Sequence, residues 1–261
     1  MGEARGLETC LHSKEALNAF PLVPFPLYLV PDFLCLVPDF MTSWFITGTD
    51  TGVGKTLVSA ALLTALARTG RRVVGMKPVA SGCEATPHGL RSADAEALRV
   101  AGNVAADYED INPYAFAPPT APHLAAAAAG VQIDIATIHA HYARLAARAD
   151  AVVVEGVGGW LVPINRTQTM ADVVRALELP VILVVGMRLG CLNHALLTQR
   201  AIMASGCRMV AWVANRVDDD VPEGYVETLA DRLGEPCLGI IPTGPSVAMA
   251  VRNLDLGVID D

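Results

Sequence analysis

The sequence predicts an α/β fold in which a mostly parallel sheet carries helices on both faces. Three short, continuously apolar runs have the length of strands, and such runs are typical of strands buried on both faces. They are Ala151–Glu155 (AVVVE), Val181–Val185 (VILVV) and Val210–Ala214 (VAWVA). Segments with helical periodicity alternate with these runs, which indicates strand–helix–strand units. In such a sheet, ligands bind at the carboxyl ends of the strands.

The other strands and helices follow from shorter signals. Trp44–Thr47 predicts a strand before a Gly-rich loop, and Arg72–Val79 predicts a second strand. Ser92 is a suitable N-cap for the helix after it. Prolines within residues 118–122 indicate a loop. The predicted helices are Thr56–Ala67, Ala93–Val100, residues 124–130, Ile135–Ala149, Leu192–Ser205 and Glu223–Leu233.

The N-terminal segment differs from the rest of the chain. Phe20–Phe40 is apolar but contains five prolines, which work against a membrane-spanning helix. Acidic residues before it and the lack of a small-residue cleavage site argue against a signal peptide. We therefore expect Met41 to be the natural initiator, with residues 1–40 a non-native or disordered leader and residues 41–261 a single domain.

Composition and charge exclude several classes of protein. With 261 residues, 52% of them hydrophobic, the chain can bury one sizeable core. The net charge of −8 and the lack of a basic patch argue against nucleic-acid binding. The six cysteines are scattered without a Cys-x-x-Cys pair, which favours reduced thiols over zinc sites or disulfides. We expect a cytoplasmic protein that binds neither nucleic acid nor membrane.

A Gly-rich loop joins the first predicted strand to the first predicted helix. The stretch FITGTDTGVGKT, Phe45–Thr56, matches a phosphate-binding loop, except that five residues instead of the usual four precede Gly-Lys-Thr. Amides at a helix start bind phosphate oxygens, and Gly52 and Gly54 let the backbone approach closely. Lys55 is expected to reach the β- and γ-phosphates, and the Thr56 hydroxyl to bind Mg²⁺. This context predicts a P-loop NTPase-like fold.

Charged residues at other strand ends suit a magnesium–nucleotide site. Glu155 ends an apolar strand, and Mg²⁺ takes one or two carboxylates besides phosphates and waters. Asp94 is a weaker candidate, because the helix dipole alone favours acidic residues in a first turn. Lys77 ends the second predicted strand, where a cation would stabilise charge on a phosphoryl group in transfer. Ser81 follows on the same loop.

Taken together, these segments resemble the dethiobiotin synthetases. The loop GTDTGVGKT has that family's five-residue spacing, and further blocks stand in the family's order. They are KPVASG (77–82), EGVGGW (155–160), PVILVVG (180–186), LGCLNHALLT (189–198) and WVANRV (212–217). The resemblance covers residues 43–242. Several blocks in order are far more specific than a single phosphate loop.

The resemblance implies an ATP-dependent closure of a cyclic urea. CO₂ derived from bicarbonate adds to one amine of 7,8-diaminopelargonic acid, ATP phosphorylates the carbamate, and the second amine closes the ring of dethiobiotin. ADP and phosphate are the other products, and Mg²⁺ and a homodimer are implied. The task of the protein is then positioning and charge stabilisation.

The resemblance also implies roles for numbered residues. Lys77 and Lys55 are the implied catalytic residues, Asn215 reads adenine, and residues 190–193 of the other subunit bind the substrate carboxylate. The implied Mg²⁺ ligands are Thr56, Asp94 and Glu155. The implied ATP-binding residues are Thr51, Gly52, Val53, Gly54, Lys55, Thr56, Asp94, Glu155, Gly156, Val157, Gly158, Asn215, Arg216, Pro242 and Gly244. The implied substrate-binding residues are Thr51, Ser81, Gly190, Cys191 and Asn193.

Some features depart from the family pattern or lie outside it. Gly52 stands where some members carry an acidic residue. The segment IPTGPSVAMA (241–250) keeps Pro242 but lacks the expected aromatic residue and later Glu, which leaves adenine and ribose contacts there open. Four histidines lack a paired acid or cysteine, and we interpret them as surface or packing residues: His123, His139, His141 and His194.

Three other functions stay open at this point. A ParA- or MinD-like switch ATPase would carry a second lysine where this loop has Asp50, and often a basic tail where this chain has LGVIDD. An amidoligase related to cobyrinic acid amidation would need a glutaminase domain, for which this sequence is too short. A relative that binds nucleotide without catalysis is disfavoured by Lys77.

Overall fold

A six-stranded parallel sheet forms the centre of the computed structural model, which describes residues 43–244 and 246–259. Its strands, and two short pairs outside it, are β1 Trp44–Gly48, β2 Val73–Met76, β3 Val79–Ser81, β4 Glu84–Thr86, β5 Gly89–Arg91, β6 Tyr114–Phe116, β7 Ala151–Glu155, β8 Val181–Met187, β9 Met209–Arg216 and β10 Cys237–Ile241. The order across the sheet is β10-β9-β8-β1-β7-β2, with parallel neighbours throughout. This confirms the predicted fold class. The predicted leader and Met41 lie outside the described residues.

Helices cover both faces of the sheet. They are α1 Lys55–Arg68, α2 Ala93–Ala101, α3 Tyr108–Ile111, α4 Pro122–Ala128, α5 Ile135–Ala146, α6 Met170–Leu177, α7 Cys191–Ala204, α8 Tyr225–Leu233 and α9 Val247–Arg252, followed by a 3₁₀ turn at Leu256–Val258. Successive residues of a strand point to opposite faces. Trp44 and Ile46 therefore pack with α1, α2 and α9, whereas Phe45 and Val154 pack with α4 to α8.

The second predicted strand ends earlier than its apolar pattern indicated. β2 stops at Met76, and Val79 belongs to β3, which pairs with β6 in a separate two-stranded sheet. Pro78 lies between the two strands; it has no N–H to donate, and it restricts the backbone of the residue before it. The expectation of one strand over Arg72–Val79 was therefore wrong. Lys77 lies where the chain leaves the central sheet.

Other differences from the sequence-based elements are small and local. Helix α5 ends at Ala146, before the predicted end at Ala149. Pro122, expected in a loop, is the first residue of α4, a position where its missing N–H is harmless. Helix α8 begins at Tyr225, later than predicted, after a left-handed Gly224.

Several elements were not predicted. Helix α6 is preceded by Thr169, whose main-chain N–H and hydroxyl both donate to Asp172, a capping signal that is readable in the sequence. β10 and α9 were missed because their residues are only partly buried and show little periodicity. Within the described ranges, no helix is long and apolar enough to cross a membrane.

Gly75 of β2 leaves room for two helices. An alanine Cβ there would lie 2.6 Å from Leu98 Cβ and 2.9 Å from Leu63 Cδ1. Gly75→Ala should lower the free energy of unfolding by about 1–3 kcal/mol, because overpacking displaces these side chains. Gly159→Ala is the control, since its Cβ would lie 3.6 Å from the nearest neighbouring atom, Gly48 O. Equal, small losses for both variants in urea unfolding would contradict this packing.

Candidate functional site

Two left-handed glycines shape the loop between β1 and α1. Gly52 has φ 75° and Gly54 has φ 91°, a region that residues with a Cβ rarely adopt. Gly54 is the N-cap of α1. Because glycine has no side chain, it offers no capping oxygen to the first amides of the helix. Because these amides have no intrahelical partner, they are available to an anion.

Val53 anchors the loop to the neighbouring strands. A Cβ on Gly48 would lie 2.6 Å from Val53 Cγ2, and one on Gly186 would lie 2.7 Å from Val53 Cγ1, so both glycines make room for this side chain. Asn215 at the end of β9 donates from Nδ2 to Val53 O at 2.8 Å. A Cβ on Gly54 would overlap that amide. The shape of the loop thus depends on β8 and β9.

The ammonium group of Lys55 turns back onto the loop. Its Nζ donates to the main-chain oxygen of Asp50 at 2.9 Å, and the residue is 7% exposed. Burial lowers the pKa of Lys55 to about 8, and the nearby Lys77 ammonium also lowers it, against the raising effect of the acidic groups. A lysine in this state gains from any anion that enters the site.

The carboxylate of Asp50 ties the loop to β8. It accepts a hydrogen bond from the Thr51 main-chain N–H at 2.7 Å and pairs with Arg188 at 2.7 Å. Arg188 directly follows β8 and was missed in the sequence analysis. The available signal was the one that singled out Lys77, a cation immediately after a buried strand. Both side chains are partly exposed, so the ion pair adds little to the stability of the fold and mainly fixes the position of the loop.

Residues from four separate segments form a second cluster beside the loop, namely Thr56, Lys77, Asp94 and Glu155. Lys77 Nζ lies 2.6 Å from Glu155 Oε1 and 2.9 Å from Asp94 Oδ2. It also donates to Gly156 O at 3.0 Å, and the Thr56 hydroxyl donates to Glu155 Oε1 at 2.8 Å. Lys77 and Glu155 are almost fully buried. Such a pair is tolerated only with contacts of this quality.

Charge partners set the protonation of this cluster. Burial lowers the pKa of Lys77, but Glu155 and Asp94 act in the opposite direction and the pKa is raised overall. Burial raises the pKa of Asp94, but the Lys77 ammonium outweighs it and the pKa is lowered overall. Near neutral pH, Lys77 is therefore an ammonium and Asp94 a carboxylate. The site combines two ammonium groups with two acidic side chains.

The oxygens of this cluster fit a hard divalent cation. Glu155 Oε2 is buried and has no hydrogen-bond partner among the described residues, so a cation would satisfy it. The half-exposed Asp94 carboxylate and the Thr56 hydroxyl offer further oxygen ligands. No group of three or more His, Cys, Asp or Glu forms a metal site within residues 43–244 and 246–259. A cation here would take its remaining ligands from phosphate and water.

The other predicted site residues lie nearby or at the start of α7. A Cβ on Gly158 would lie 3.7 Å from Thr51 Oγ1, which places the loop against the turn after β7. Ser81 ends β3 and Arg216 ends β9. Cys191 begins α7 and is 1% exposed, so its thiol is out of reach of a ligand. The remaining residues follow strands or begin α7: Gly156 and Val157 after β7, Pro242 and Gly244 after β10, and Gly190 and Asn193 at α7.

The prediction that all four histidines lack a paired acid was wrong for His141. His141 does have a paired acid, because its Nδ1 lies 2.9 Å from Asp110 Oδ1. Arg144 binds the same carboxylate oxygen at 2.7 Å. Asp110 lies on α3, far from His141 in the sequence, so spacing alone did not indicate the pair. The contact joins α3 to α5, which agrees with a packing role.

The fold and the loop define a P-loop NTPase-like protein. The profile of a family described as an AAA domain matches residues 42–250. A MinC:MinD cell division complex from Aquifex aeolicus aligns with a TM-score of 0.53 and 19% identity, over 84% of this chain and 93% of that chain. A MinD structure from the same organism aligns with a TM-score of 0.51 and 18% identity, over 84% and 94%. At such identities the likeness shows the fold alone.

Sequence relatives define the family more narrowly. The ATP-dependent dethiobiotin synthetase BioD of Xanthomonas oryzae pv. oryzae (strain PXO99A) is 51% identical over 212 residues, which are 80% of this chain and 95% of the relative. The enzyme of the same name from Pseudomonas paraeruginosa is 49% identical over 228 residues, 84% of this chain and 100% of the relative. The chain belongs to the dethiobiotin synthetase family, which confirms the resemblance.

The pKa of Lys55 can be measured directly, because the chain has three lysines, Lys14, Lys55 and Lys77. Burial should make Lys55 titrate at a pKa of about 8 in the ligand-free protein. Its positive charge is then lost as the pH rises through this pKa, and bound phosphates should raise the pKa again. ¹³C NMR of lysine-labelled protein checks this, with Lys55→Arg to assign the signal. A pKa near the usual 10.5 without nucleotide would contradict the burial argument.

Proposed function

We propose that this chain forms dethiobiotin from 7,8-diaminopelargonic acid and CO₂, with ATP as co-substrate and Mg²⁺ as the metal. The family supplies the reaction class. The observation that carries the proposal is Lys77, which lies buried between Glu155 and Asp94 beside a phosphate-binding loop. In the proposed reaction, Lys77 would supply a fixed positive charge beside the phosphoryl group that is transferred.

The proposed reaction has three steps. One amine of the diamine attacks CO₂ and loses a proton, which gives a carbamate. A carbamate oxygen attacks the γ-phosphorus, and the bond from that phosphorus to the ADP oxygen breaks. The second amine then attacks the carbonyl carbon, the carbon–oxygen bond to the phosphoryl group breaks, and phosphate and a proton leave. Phosphorylation is required because the unactivated carbamate oxygen is a poor leaving group.

The loop and Lys55 bind and orient the triphosphate in this proposal. The amides at the start of α1 donate to phosphate oxygens. When ATP binds, the Lys55 ammonium gives up its hydrogen bond to the Asp50 main-chain oxygen and binds the β- and γ-phosphates. The phosphates are better partners because they are charged. Gly52, Val53 and Gly54 contribute main-chain groups. The buried side chain of Val53 holds the loop in place as the ligand enters.

Lys77 stabilises the charge that passes from the carbamate to the γ-phosphate. Its raised pKa keeps the ammonium charged, and its burial keeps water from screening that charge. Thr56, Asp94 and Glu155 Oε2 would hold Mg²⁺. Bound Mg²⁺ would neutralise part of the negative charge on the phosphates.

Asn215 is suited to recognise the base. Its Nδ2 is occupied by Val53 O, and its buried Oδ1 has no partner within the described part of the chain. That oxygen can accept a hydrogen bond from the exocyclic amino group of adenine. Arg216, Pro242 and Gly244 lie at the ends of β9 and β10, on the same side. We assign them to the remaining adenine and ribose contacts.

The diamine is assigned to the space between the loop and a second subunit. Thr51 and Ser81 would contact the carbamate end. Gly190, Cys191 and Asn193 of a second copy would bind the carboxylate through the N-terminus of α7, with Cys191 offering main-chain rather than thiol contact. Two exposed leucines support a homodimer: Leu189, two residues before α7, is 82% exposed, and Leu197, in the middle of α7, is 55% exposed.

A switch ATPase of the MinD type is the second candidate, because the fold is shared. Asp50 weighs against it, since an acidic residue stands where that class has a lysine, and the acid is tied to Arg188. We further propose that the protein is cytoplasmic and binds neither nucleic acid nor membrane, in keeping with its net charge of −8.

Phosphate release from purified protein with Mg²⁺ and ATP tests the proposed function. The diamine and bicarbonate are each supplied or left out. Release should require both, and the product should have the mass of dethiobiotin. Steady release without the diamine would favour the switch ATPase. No release under any condition would contradict catalysis altogether.

Substitution of the two site lysines should separate binding from turnover. Lys77→Gln should lower kcat about 100-fold or more, with nucleotide affinity little changed, because it removes a charge aimed at the transferred group. Lys55→Gln should lower both nucleotide affinity and kcat. Lys14→Gln, which changes the one other lysine of the sequence, is the control. Nucleotide affinity is measured by calorimetry and kcat by dethiobiotin formation; near-normal kcat in Lys77→Gln would contradict its assigned role.

A further inference from the structure

We propose that Asn112 is a positioning residue for Lys77: its side-chain amide holds the Lys77 main chain where the ammonium meets Glu155 and Asp94. The inference rests on the proposed catalytic role of Lys77. Asn112 touches none of the reacting groups, and sequence patterns did not single it out.

The need for such a residue follows from the position of β2 at the edge of the sheet. Among the described strands, β2 has β7 as its one neighbour, so the far side of its backbone lacks a strand partner. The last residue of α3 and its C-cap take that place beside Lys77. Lys77 N donates to Ile111 O at 2.7 Å, and Asn112 Nδ2 donates to Lys77 O at 2.6 Å. Both main-chain polar groups of Lys77 are therefore held by two successive residues.

Asn112 also fixes the path of the chain beyond Lys77. Its Nδ2 makes a second hydrogen bond to Tyr114 O at 3.3 Å, and Tyr114 N donates to Pro78 O at 3.2 Å. Pro78 directly precedes β3, and Tyr114 is the first residue of β6, which pairs with β3. Ser81, which we assign to the carbamate end, lies on β3. The Asn112 amide thus lies at the junction between Lys77 and β3, the strand that carries Ser81.

The orientation of the Asn112 amide is determined by its partners. Asn112 is 4% exposed, and its Oδ1 accepts a hydrogen bond from the Tyr108 hydroxyl at 3.2 Å. Both Nδ2 contacts are to carbonyl oxygens, so a flipped amide would set oxygen against oxygen. A buried amide with all its groups satisfied is rigid, and a partly satisfied one is costly.

The same network reaches Asp94, the second partner of Lys77. The Tyr108 oxygen accepts a hydrogen bond from Ser92 N at 2.7 Å, and Ser92 caps the helix that carries Asp94. The Arg91 guanidinium lies 3.9 Å from the centre of the Tyr108 ring and covers it. Asn112 and Tyr108 therefore link the backbones on both sides of the Lys77–Asp94 ion pair.

The chain contains a matched control at the other end of the same strand. Asn103 Oδ1 accepts from Val73 N at 2.8 Å, and its Nδ2 donates to Arg71 O at 2.9 Å. Asn103 thus holds the start of β2 as Asn112 holds its end, but far from Lys77. A merely structural role for Asn112 predicts that loss of either amide weakens the fold without a selective effect on catalysis.

Steady-state kinetics of Asn112→Ala and Asn103→Ala test the proposal. Asn112→Ala should lower kcat for dethiobiotin formation about tenfold or more, with the KM for ATP little changed, because a small displacement of Lys77 slows transfer more than it weakens binding. Asn103→Ala should keep kcat near the wild-type value. Tyr108→Phe removes the hydroxyl that donates to Asn112 and should also lower kcat. This variant provides the test if Asn112→Ala does not fold.

A second readout is independent of turnover. In lysine-labelled protein, the Lys77 signal should shift or broaden in Asn112→Ala and Tyr108→Phe, and stay unchanged in Asn103→Ala. Unchanged kcat and an unchanged Lys77 signal in the Asn112 and Tyr108 variants would overturn the proposal while the wild type still makes dethiobiotin. A wild type that makes no dethiobiotin would overturn the proposed function instead, and the Lys77 signal would still decide the positioning role.

Discussion

The buried contact between Lys77 and Glu155 is the interaction on which the rest of the site depends. Each charge alone would cost several kcal/mol to bury, so each requires the other within hydrogen-bond distance. The register of the sheet supplies that distance: Met76 pairs with Val154, which brings Lys77, just after β2, beside Glu155, the last residue of β7. The Thr56 hydroxyl joins the same carboxylate oxygen. The strand register, the conformation at the start of α1 and the positions of the two charges therefore depend on one another.

Contacts with the neighbouring strands hold the phosphate loop, which has five residues before Gly-Lys-Thr. The wider loop includes Asp50, whose main-chain oxygen receives Lys55 and whose carboxylate binds Arg188 at the end of β8. Val53 enters the space left by Gly48 and Gly186. A loop with one more residue has more conformations to lose, and these contacts with β8 and β9 restrict it.

The sequence predicted the fold class and the central strands well, because burial on both faces produces continuous apolar runs such as AVVVE and VILVV. It failed where local signals conflicted or were weak. Pro78 interrupts the run that suggested a strand through Val79, and the partly exposed β10 has no clear period. Asp94 looked ordinary because a first helical turn favours acids in any case, and its contact with Lys77 is a tertiary one.

By itself, the sequence determined which chemical groups are present and their local settings: a glycine-rich turn into a helix, a lysine and a glutamate at strand ends, and the blocks shared with a family. Only the tertiary structure decided which of them meet. Asn112 is 35 residues from Lys77, and Glu155 is 78 residues from it, yet both bind it directly. Such contacts depend on strand order and edge position, which local patterns do not encode.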